Sequence, residues 1–402
     1  MKKIIACIFA VTLITTAAFS KNFFSSRFFE VKVGADVDFS NNLFALNDFM
    51  KRDLVIDLPK IADDCPDGGF NIRADAASSI ELGLNIKDFH LGFSNGMDLY
   101  ESVSLGKDIF DFLGYGNEIG DVIDIDYKNN TDIFLVSQFD VGFKVGKLKF
   151  NVQPALFLPL ISIRESGGYV KILNDSDGNL FVSMDTEMSV YAVSDLKSTG
   201  DNVELDTAKI ESTVITGYGF DLGGTVSYPF SDSLSLDATC RIPLIPGHLS
   251  HKATVTSGSE YNVKLTDFEN SEKVEKEMQV INEDAFLAVH RPLKLDVYLD
   301  KNILGSLFNF RGGAGIGIRR PFSDVAVFYP EYYLGFTLNL VDIFKVGVST
   351  EYTDQVFIHQ LGTTVNVRVF QLDLGFSTQS TSFTKSLAVA GLGAYVYVTM
   401  GF

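Results

Sequence analysis

The sequence predicts an all-β protein: a closed antiparallel transmembrane β-barrel of about fourteen strands, with short helical segments in its outer loops. Three observations carry that prediction. The chain closes on a strand with an apolar residue at every second position up to an aromatic one. It opens with an export signal yet has no membrane-length apolar helix. Its middle keeps repeating one unit of alternating strand, tight turn and alternating strand.

The closing strand places Ala394, Val396, Val398, Met400 and Phe402 on one face and Tyr397, Thr399 and Gly401 on the other. An apolar face running to Phe402 suits a strand that meets lipid. It also resembles the assembly signal that barrel-insertion machinery reads, so Phe402 is the expected assembly residue. At the other end, Met1, Lys2 and Lys3 precede an apolar run from Ile4 to Ala18. Cleavage sites follow Ala18 or Ser20. The expected organisation is a signal peptide over 1–20 and a barrel over 21–402. Cys7 lies too early to be a lipoprotein cysteine. No later segment approaches about 18 consecutive apolar residues, and an exported chain can still cross a membrane as a closed barrel.

Losing Lys2 and Lys3 moves the net charge from −18 to about −20. That excludes an electrostatic nucleic-acid binder, which needs a basic face. Cys65 and Cys240 remain in a compartment that permits a disulfide, but Cys240 falls on the apolar face of a strand and reads as an inert thiol. Trp is absent, and 35 Phe and 15 Tyr are left to form interfacial belts.

The repeat begins near residue 28. Ile80, Leu82, Leu84 and Ile86 lead into a turn at Lys87 and Asp88, from which Phe89, Leu91 and Phe93 return. Val141, Phe143 and Val145 turn at Gly146 and Lys147 into Leu148, Phe150 and Val152. Later copies turn near 341–343 and at Phe370 and Gln371, and looser ones at 229–233 and 300–307. The predicted strands are 28–40, 70–86, 89–100, 131–145, 148–161, 212–228, 234–245, 288–299, 308–318, 331–341, 343–353, 357–369, 371–379 and 387–402. Phe89, Phe143, Phe150, Phe230, Phe308, Phe344, Phe370 and Phe402 cluster beside the short turns, as a periplasmic girdle would.

The opposite parity lines the lumen. It includes Lys32, Asp36, Asp38, Arg73, Asp75, Glu81 and Arg241. The expected charge network near the short turns joins Asp140, Asp221, Asp237, Asp296 and Asp373 to Lys144, Lys149, Lys294, Arg311, Lys345 and Arg368. Both signs occur, so no single-sign selectivity ring is expected. Gly313, Gly315 and Gly317 form a bare inward strip that lets a plug, a bulky neighbour or a ligand lie close to the wall. Their spacing lacks the helix and acid of a nucleotide loop.

The long outer loops lie near 41–69, 101–130, 162–211 and 246–287. Phe44, Leu46, Phe49 and Met50 in the first, and Ile109, Phe110, Phe112 and Leu113 in the second, form amphipathic stripes. They make either a lid or a landing site for a hydrophobic small molecule. The third loop reads as a hairpin outside the membrane, turning at 174–179. Its Asp175 and Asp177 lack the further acid of a calcium loop. The fourth ends in a Lys/Glu-rich stretch that reads as helical. No Cys/His ligand set, nucleophile elbow or zinc-protease motif is present, so no cofactor, metal or enzyme activity is expected.

Val31 to Ile61, with Gly34-Ala35-Asp36-Val37 and Leu54-Val55-Ile56-Asp57-Leu58-Pro59-Lys60-Ile61, resembles the start of a spirochaete, treponeme-type family of outer-membrane proteins of unknown function. Lys107 to Gly114 and Pro154 to Leu160 share that resemblance. The strand count is also similar to that of FadL-type long-chain fatty-acid transporters. Those carry an N-terminal hatch, whereas here about ten residues would precede strand one, so any plug is expected from a loop, 41–69 first. The expected location is the outer membrane of a diderm bacterium, with lipid and the barrel-assembly machinery as partners. Two functions are open: a channel or uptake protein for small apolar or amphipathic solutes, or a surface-exposed structural or adhesive barrel that binds a host ligand over a closed lumen.

Overall fold

The computed structural model describes residues 27–45, 56–176, 179–199, 202–206, 217–264, 272–340 and 343–402. The signal segment and Leu46, Phe49 and Met50 lie outside them. In chain order come β1 (Phe29–Asn41), α1 (Leu58–Asp64), β2 (Phe70–Ile86), β3 (Phe89–Leu105), α2 (Asp108–Tyr115), β4 (Val122–Val145) and β5 (Leu148–Asn174). Then follow β6 (Asn179–Ala192), β7 (Leu196–Thr199), β8 (Asn202–Leu205), β9 (Gly219–Ser231), β10 (Leu234–Ile245), β11 (Gly247–Lys264) and β12 (Glu272–Val289). The chain finishes with β13 (Leu293–Ile303), β14 (Phe308–Arg319), β15 (Val327–Leu340), β16 (Phe344–Thr353), β17 (Val356–Val367), β18 (Phe370–Ser380), α3 (Phe383–Leu387) and β19 (Leu392–Gly401). No described helix is long and apolar enough to cross a membrane.

Antiparallel pairing runs β1–β2–β3–β4–β5–β9–β10–β13–β14–β15–β16–β17–β18–β19 and returns to β1. The barrel is closed. Among the described residues seventeen strands share the sheet, more than predicted, because β6, β11 and β12 join it beyond the ring. Successive ring residues alternate as the sequence demands. In β19, Tyr395, Tyr397 and Thr399 are buried inside while Leu392 and Met400 face out. Outward residues such as Val33, Leu82, Leu91, Leu299, Leu334, Val348, Leu361 and Phe376 form a continuous exposed apolar surface. That surface suits lipid and would not suit water.

Tight turns need positive φ, and Lys87 (φ 52°) and Gly146 (φ 61°) supply it between β2 and β3 and between β4 and β5. Between β17 and β18 the turn falls on Arg368 and Val369, because Val367 pairs with Phe370. The predicted turn at Phe370 and Gln371 is therefore two residues late, and those two residues open β18.

At the long-loop end, called the outer end below, the sheet forks at three prolines. A proline cannot donate to a ladder. β5 pairs with β9 as far as Phe157 and with β6 from Ile161 onward, and Pro159 stands at the switch. Pro246 separates β10 from β11, and Pro292 lies between β12 and β13. The outer branch β5–β6–β11–β12 thus rises above the ring while β10 pairs directly with β13 below it. A Cβ on Gly247 would press on Pro159 and on the Gly217 carbonyl, so the fork needs a glycine there. Phe134, Phe157, Leu158, Val193, Leu249 and Val289 fill the crotch of the fork, with Tyr100 and Tyr191 against them.

One loop expectation is corrected. Residues 246–287 were expected to end in a helix; β11 and β12 form a long hairpin instead. Within 101–130 the amphipathic stripe forms α2, between the end of β3 at Leu105 and the start of β4 at Val122. The 162–211 segment is the upper part of β5 with β6, closed by Asp175, whose backbone and side chain both bond Asn179; the small hairpin β7–β8 follows.

Candidate functional site

The inward face carries its charge in tiers, and most of it lies in the outer half. Near the short turns, Arg311 of β14 donates to Asp300 at 2.7 Å and Asp237 at 3.3 Å. Its guanidinium also lies 4.3 Å from the centre of the Tyr298 ring. Higher up, Lys294 donates to Glu331 at 2.7 Å and to Thr353 at 3.3 Å, beside Asp296. At the outer end three guanidiniums cross the barrel. Arg291 joins Asp221 (2.9 Å) to Asp98 (2.6 Å). Arg320 reaches Asp132 (2.9 Å), Asn130 (3.0 Å) and the Ile163 carbonyl (3.2 Å). Arg319 binds Asp354 in the β16–β17 turn and lies 3.7 Å from Asp75 of β2. β2 and β14 are opposite in the ring, seven strands apart either way round. The lumen is thus bridged across its full width.

The structure redistributes the predicted network. Asp237 and Arg311 meet, and Lys294 and Asp296 share the Glu331 site. Asp221 pairs with Arg291, which sequence reasoning had not placed. Asp140 is served by amides, with Gln138 and Asn151 donating at 3.2 Å. Asp373 accepts from Thr364 (2.6 Å) and Gln371 (2.8 Å). Lys144 lies 3.7 Å from Asp88 in the neighbouring turn, and its cross-strand neighbour is Lys149. Lys345 on β16 takes part in none of these pairs, and Arg368 stands exposed in a turn. Near the short turns the expected network is met, among the described residues, only at Asp237 and Arg311, because parity shows which side chains face inward, not which wall they reach. Arg291 beside Pro292, and the paired Arg319 and Arg320 after the glycine strip, are the signals that could have found the outer ties.

The glycine strip is explained by neighbouring bulk. A Cβ on Gly313 would collide with the ring of Tyr298, one on Gly315 with the Asp296 carboxylate, and one on Gly317 with the ring of Tyr329. Tyr397 and Tyr395 lie over Gly34 and Gly375 in the same way.

The loop stripes fold into a knot. In α1, Asp57 caps the first turn by accepting from the Lys60 N–H at 3.1 Å, and Pro59 sits in that first turn, where its missing N–H is tolerated. Asp108 and Asp111 favour the first turn of α2, and Gly116 (φ 74°) ends it. Leu43, Ala62, Cys65 and Phe110 are buried between the helices, with Ile61 and Ile109 against them. Phe44, Phe70 and Phe110 form an aromatic triangle with ring centres 5.5–6.4 Å apart. Phe112 is half-buried and Leu113 is 48% exposed. Cys65 and Cys240 are both free thiols, and burial pushes the Cys65 pKa up.

Beside this knot the barrel rim has a notch. Tyr332 and Tyr352 are the outermost paired residues of β15 and β16, so β15 from Val327 to Glu331 stands free on that edge. Pro330 lies in this free stretch, where a missing N–H costs nothing. The notch holds a cavity of about 480 Å³ lined by Asn71, Arg73, Phe328, Tyr329, Pro330, Tyr352, Gln355 and Thr381. Arg73 reaches it from the far wall. Its Nη1 donates to the Asp354 carbonyl, its Nη2 to Gln355 Oε1 at 2.9 Å and its Nε to Asn71 Oδ1 at 3.3 Å. Tyr332, Tyr352, Phe357 and Phe383 continue the aromatic surface outside, with ring centres 4.5–6.4 Å apart.

No protein-family model and no curated protein matches the chain, so the treponeme-type resemblance rests on its motifs alone. Solved structures with a similar path include the Pseudomonas putida toluene transporter TodX, at 9% identity over 94% of this chain and 91% of that one, with a TM-score of 0.44. The Ralstonia pickettii toluene transporter TbuX has 8% identity, coverage of 94% and 90%, and a TM-score of 0.46. A Pseudomonas aeruginosa FadL homologue has 11% identity, coverage of 93% and 89%, and a TM-score of 0.42. The fold assignment stands on the chain's own strand pairings.

Proposed function

We propose that this chain is an outer-membrane barrel for the uptake of small amphipathic solutes, with its lumen shut at rest. The carrying observation is the rim cavity, an aromatic and amide-lined cup that ends on the Arg73 and Arg319 ties. Its volume falls in the range of small-molecule sites. In this reading a solute enters at the rim and must loosen those ties to descend. Buried ion pairs need not stabilise a protein, but breaking one partner leaves a stranded charge, so the ties hold one defined arrangement. Phe44, Ile109 and Phe110 serve to hold the knot together, and among the described residues Phe112 and Leu113 are the lid residues a solute could meet.

The second reading is a closed structural or adhesive barrel. The crossed lumen and the tall outer branch β6–β11–β12 favour it. Planar-bilayer conductance and vesicle flux of purified wild type and Arg319→Gln separate the two. Uptake expects a mostly silent wild type and a variant with more frequent or larger openings. No conductance and no solute binding in either protein would leave only the closed barrel.

A further inference from the structure

We infer that the rim cavity is a binding site for a small aromatic carboxylate, with Arg73 as the anchor of its carboxylate. The inference rests on the uptake reading for its purpose, but its evidence is local. Among the described residues, Arg73 is the one charged residue that lines the cavity. All the hydrogen bonds it makes among the described residues go to neutral oxygens: one backbone carbonyl and two side-chain amides. Of the two nearby carboxylates, Asp354 is bound by Arg319, and Asp75 lies 3.7 Å from Arg319 without a hydrogen bond to it. A half-buried guanidinium held by neutral acceptors is an unfinished ion pair. Its planar fork matches a carboxylate better than a point cation would.

The rest of the cavity specifies the body of the ligand. Phe328 and Tyr352 supply aromatic rings, Tyr329 closes the wall with its own ring seated over Gly317, and Pro330 gives an apolar edge without a backbone donor. Asn71, Gln355 and Thr381 supply neutral polar groups around the anchor. No carboxylate of the described residues lines the cavity to repel an anion. The chain's net negative charge disfavours anions at long range, so such a site has to act at contact distance. Binding would transfer Nη1 and Nη2 of Arg73 from the Asp354 carbonyl and Gln355 to the ligand. That exchange releases the β16–β17 turn from Arg73 while Arg319 still holds Asp354; the turn's two residues, Asp354 (φ 49°) and Gln355 (φ 67°), both sit in the left-handed region.

The test is calorimetric titration of the full-length detergent-solubilised barrel with 4-methylbenzoate, 4-methylbenzyl alcohol and acetate. A charge-assisted pair predicts about tenfold tighter binding of the acid than of its alcohol. In Arg73→Gln that preference disappears while the alcohol still binds. Tyr352→Ala weakens acid and alcohol together. Heat-modifiable migration on gels verifies that each variant is folded. Equal binding of acid and alcohol by the wild type, or a preference that survives Arg73→Gln, overturns the anchor. Acetate competing as well as 4-methylbenzoate overturns the aromatic part. The wild-type comparisons of acid with alcohol and of 4-methylbenzoate with acetate need no variant if Arg73→Gln fails to fold. Flux into vesicles is scored separately. Arg73-dependent binding without flux retires the uptake reading and keeps the site, whereas flux without that preference does the reverse.

Discussion

The inward face of β14 reads Arg311, Gly313, Gly315, Gly317, Arg319: two guanidiniums separated by three residues without side chains. The missing side chains matter as much as the charges. They let Tyr298, Asp296 and Tyr329 lie across the wall, and Tyr298 then sits under the Arg311 guanidinium. A glycine in a strand interior ordinarily costs stability, and a β-branched residue ordinarily repairs it. Here the sign should reverse. Gly317→Val would force the Tyr329 ring off its seat, and overpacking of this kind costs about 1–3 kcal/mol. The expected outcome is a lower urea midpoint for the detergent-folded variant, with unchanged secondary structure by circular dichroism. A variant more stable than the wild type would mean that Tyr329 does not occupy the space above Gly317.

Among the elements, the forked branch is held by a small apolar core rather than by the ring. Leu249 of β11 is fully buried against Phe134, Phe157 and Val289. Replacing it with Asp removes a core side chain, worth about 2–5 kcal/mol, and buries a charge besides. Because β10 pairs with β13 beneath the fork, the damage should stop there. Limited proteolysis is expected to cut β11 and β12 in Leu249→Asp while the remaining ring keeps its heat-modifiable migration. Unchanged protection of the hairpin would show that the crotch does not carry the branch. This is also where sequence reading failed, and the cause is physical. Glu272, Lys273, Glu275, Lys276 and Glu277 are good helix formers, and neither face of β12 is buried enough to impose a period of two. The pairing with Thr254, Val255 and Tyr261 across the hairpin decides the outcome, and a distant strand is not visible in a local window. In the ring, by contrast, one face meets lipid, so period two was written plainly from β2 to β19. The lumen ties were half legible for the same reason. Asp75 could be assigned to the inside, but its meeting with Arg319 depends on ring size and on which strands stand opposite.

Ring closure is the property on which everything at the scale of the whole molecule depends. It rests on one seam. β1 and β19 pair from Glu30 with Gly401 to Phe39 with Leu392. Phe29 and Phe402 add a last rung, each N–H donating to the other's carbonyl at 3.1 Å. The Phe402 ring is 73% exposed and lies 6.0–6.4 Å from the rings of Phe28 and Phe29, at the edge of the apolar surface. Within a bilayer an unpaired backbone group costs several kcal/mol, so a frayed seam is far more damaging than a frayed edge in water. Removing Phe402, or changing it to Asp, should therefore reduce the heat-stable, protease-resistant barrel in outer membranes severalfold. Two causes can be separated by refolding the purified variants in detergent without any assembly machinery. If they fold there as well as the wild type but fail in cells, Phe402 acts as a recognition signal. If they fail in both, the last rung is needed to hold the seam. A truncated protein that reaches the surface heat-stable and protease-resistant would reduce Phe402 to one more apolar side chain facing lipid.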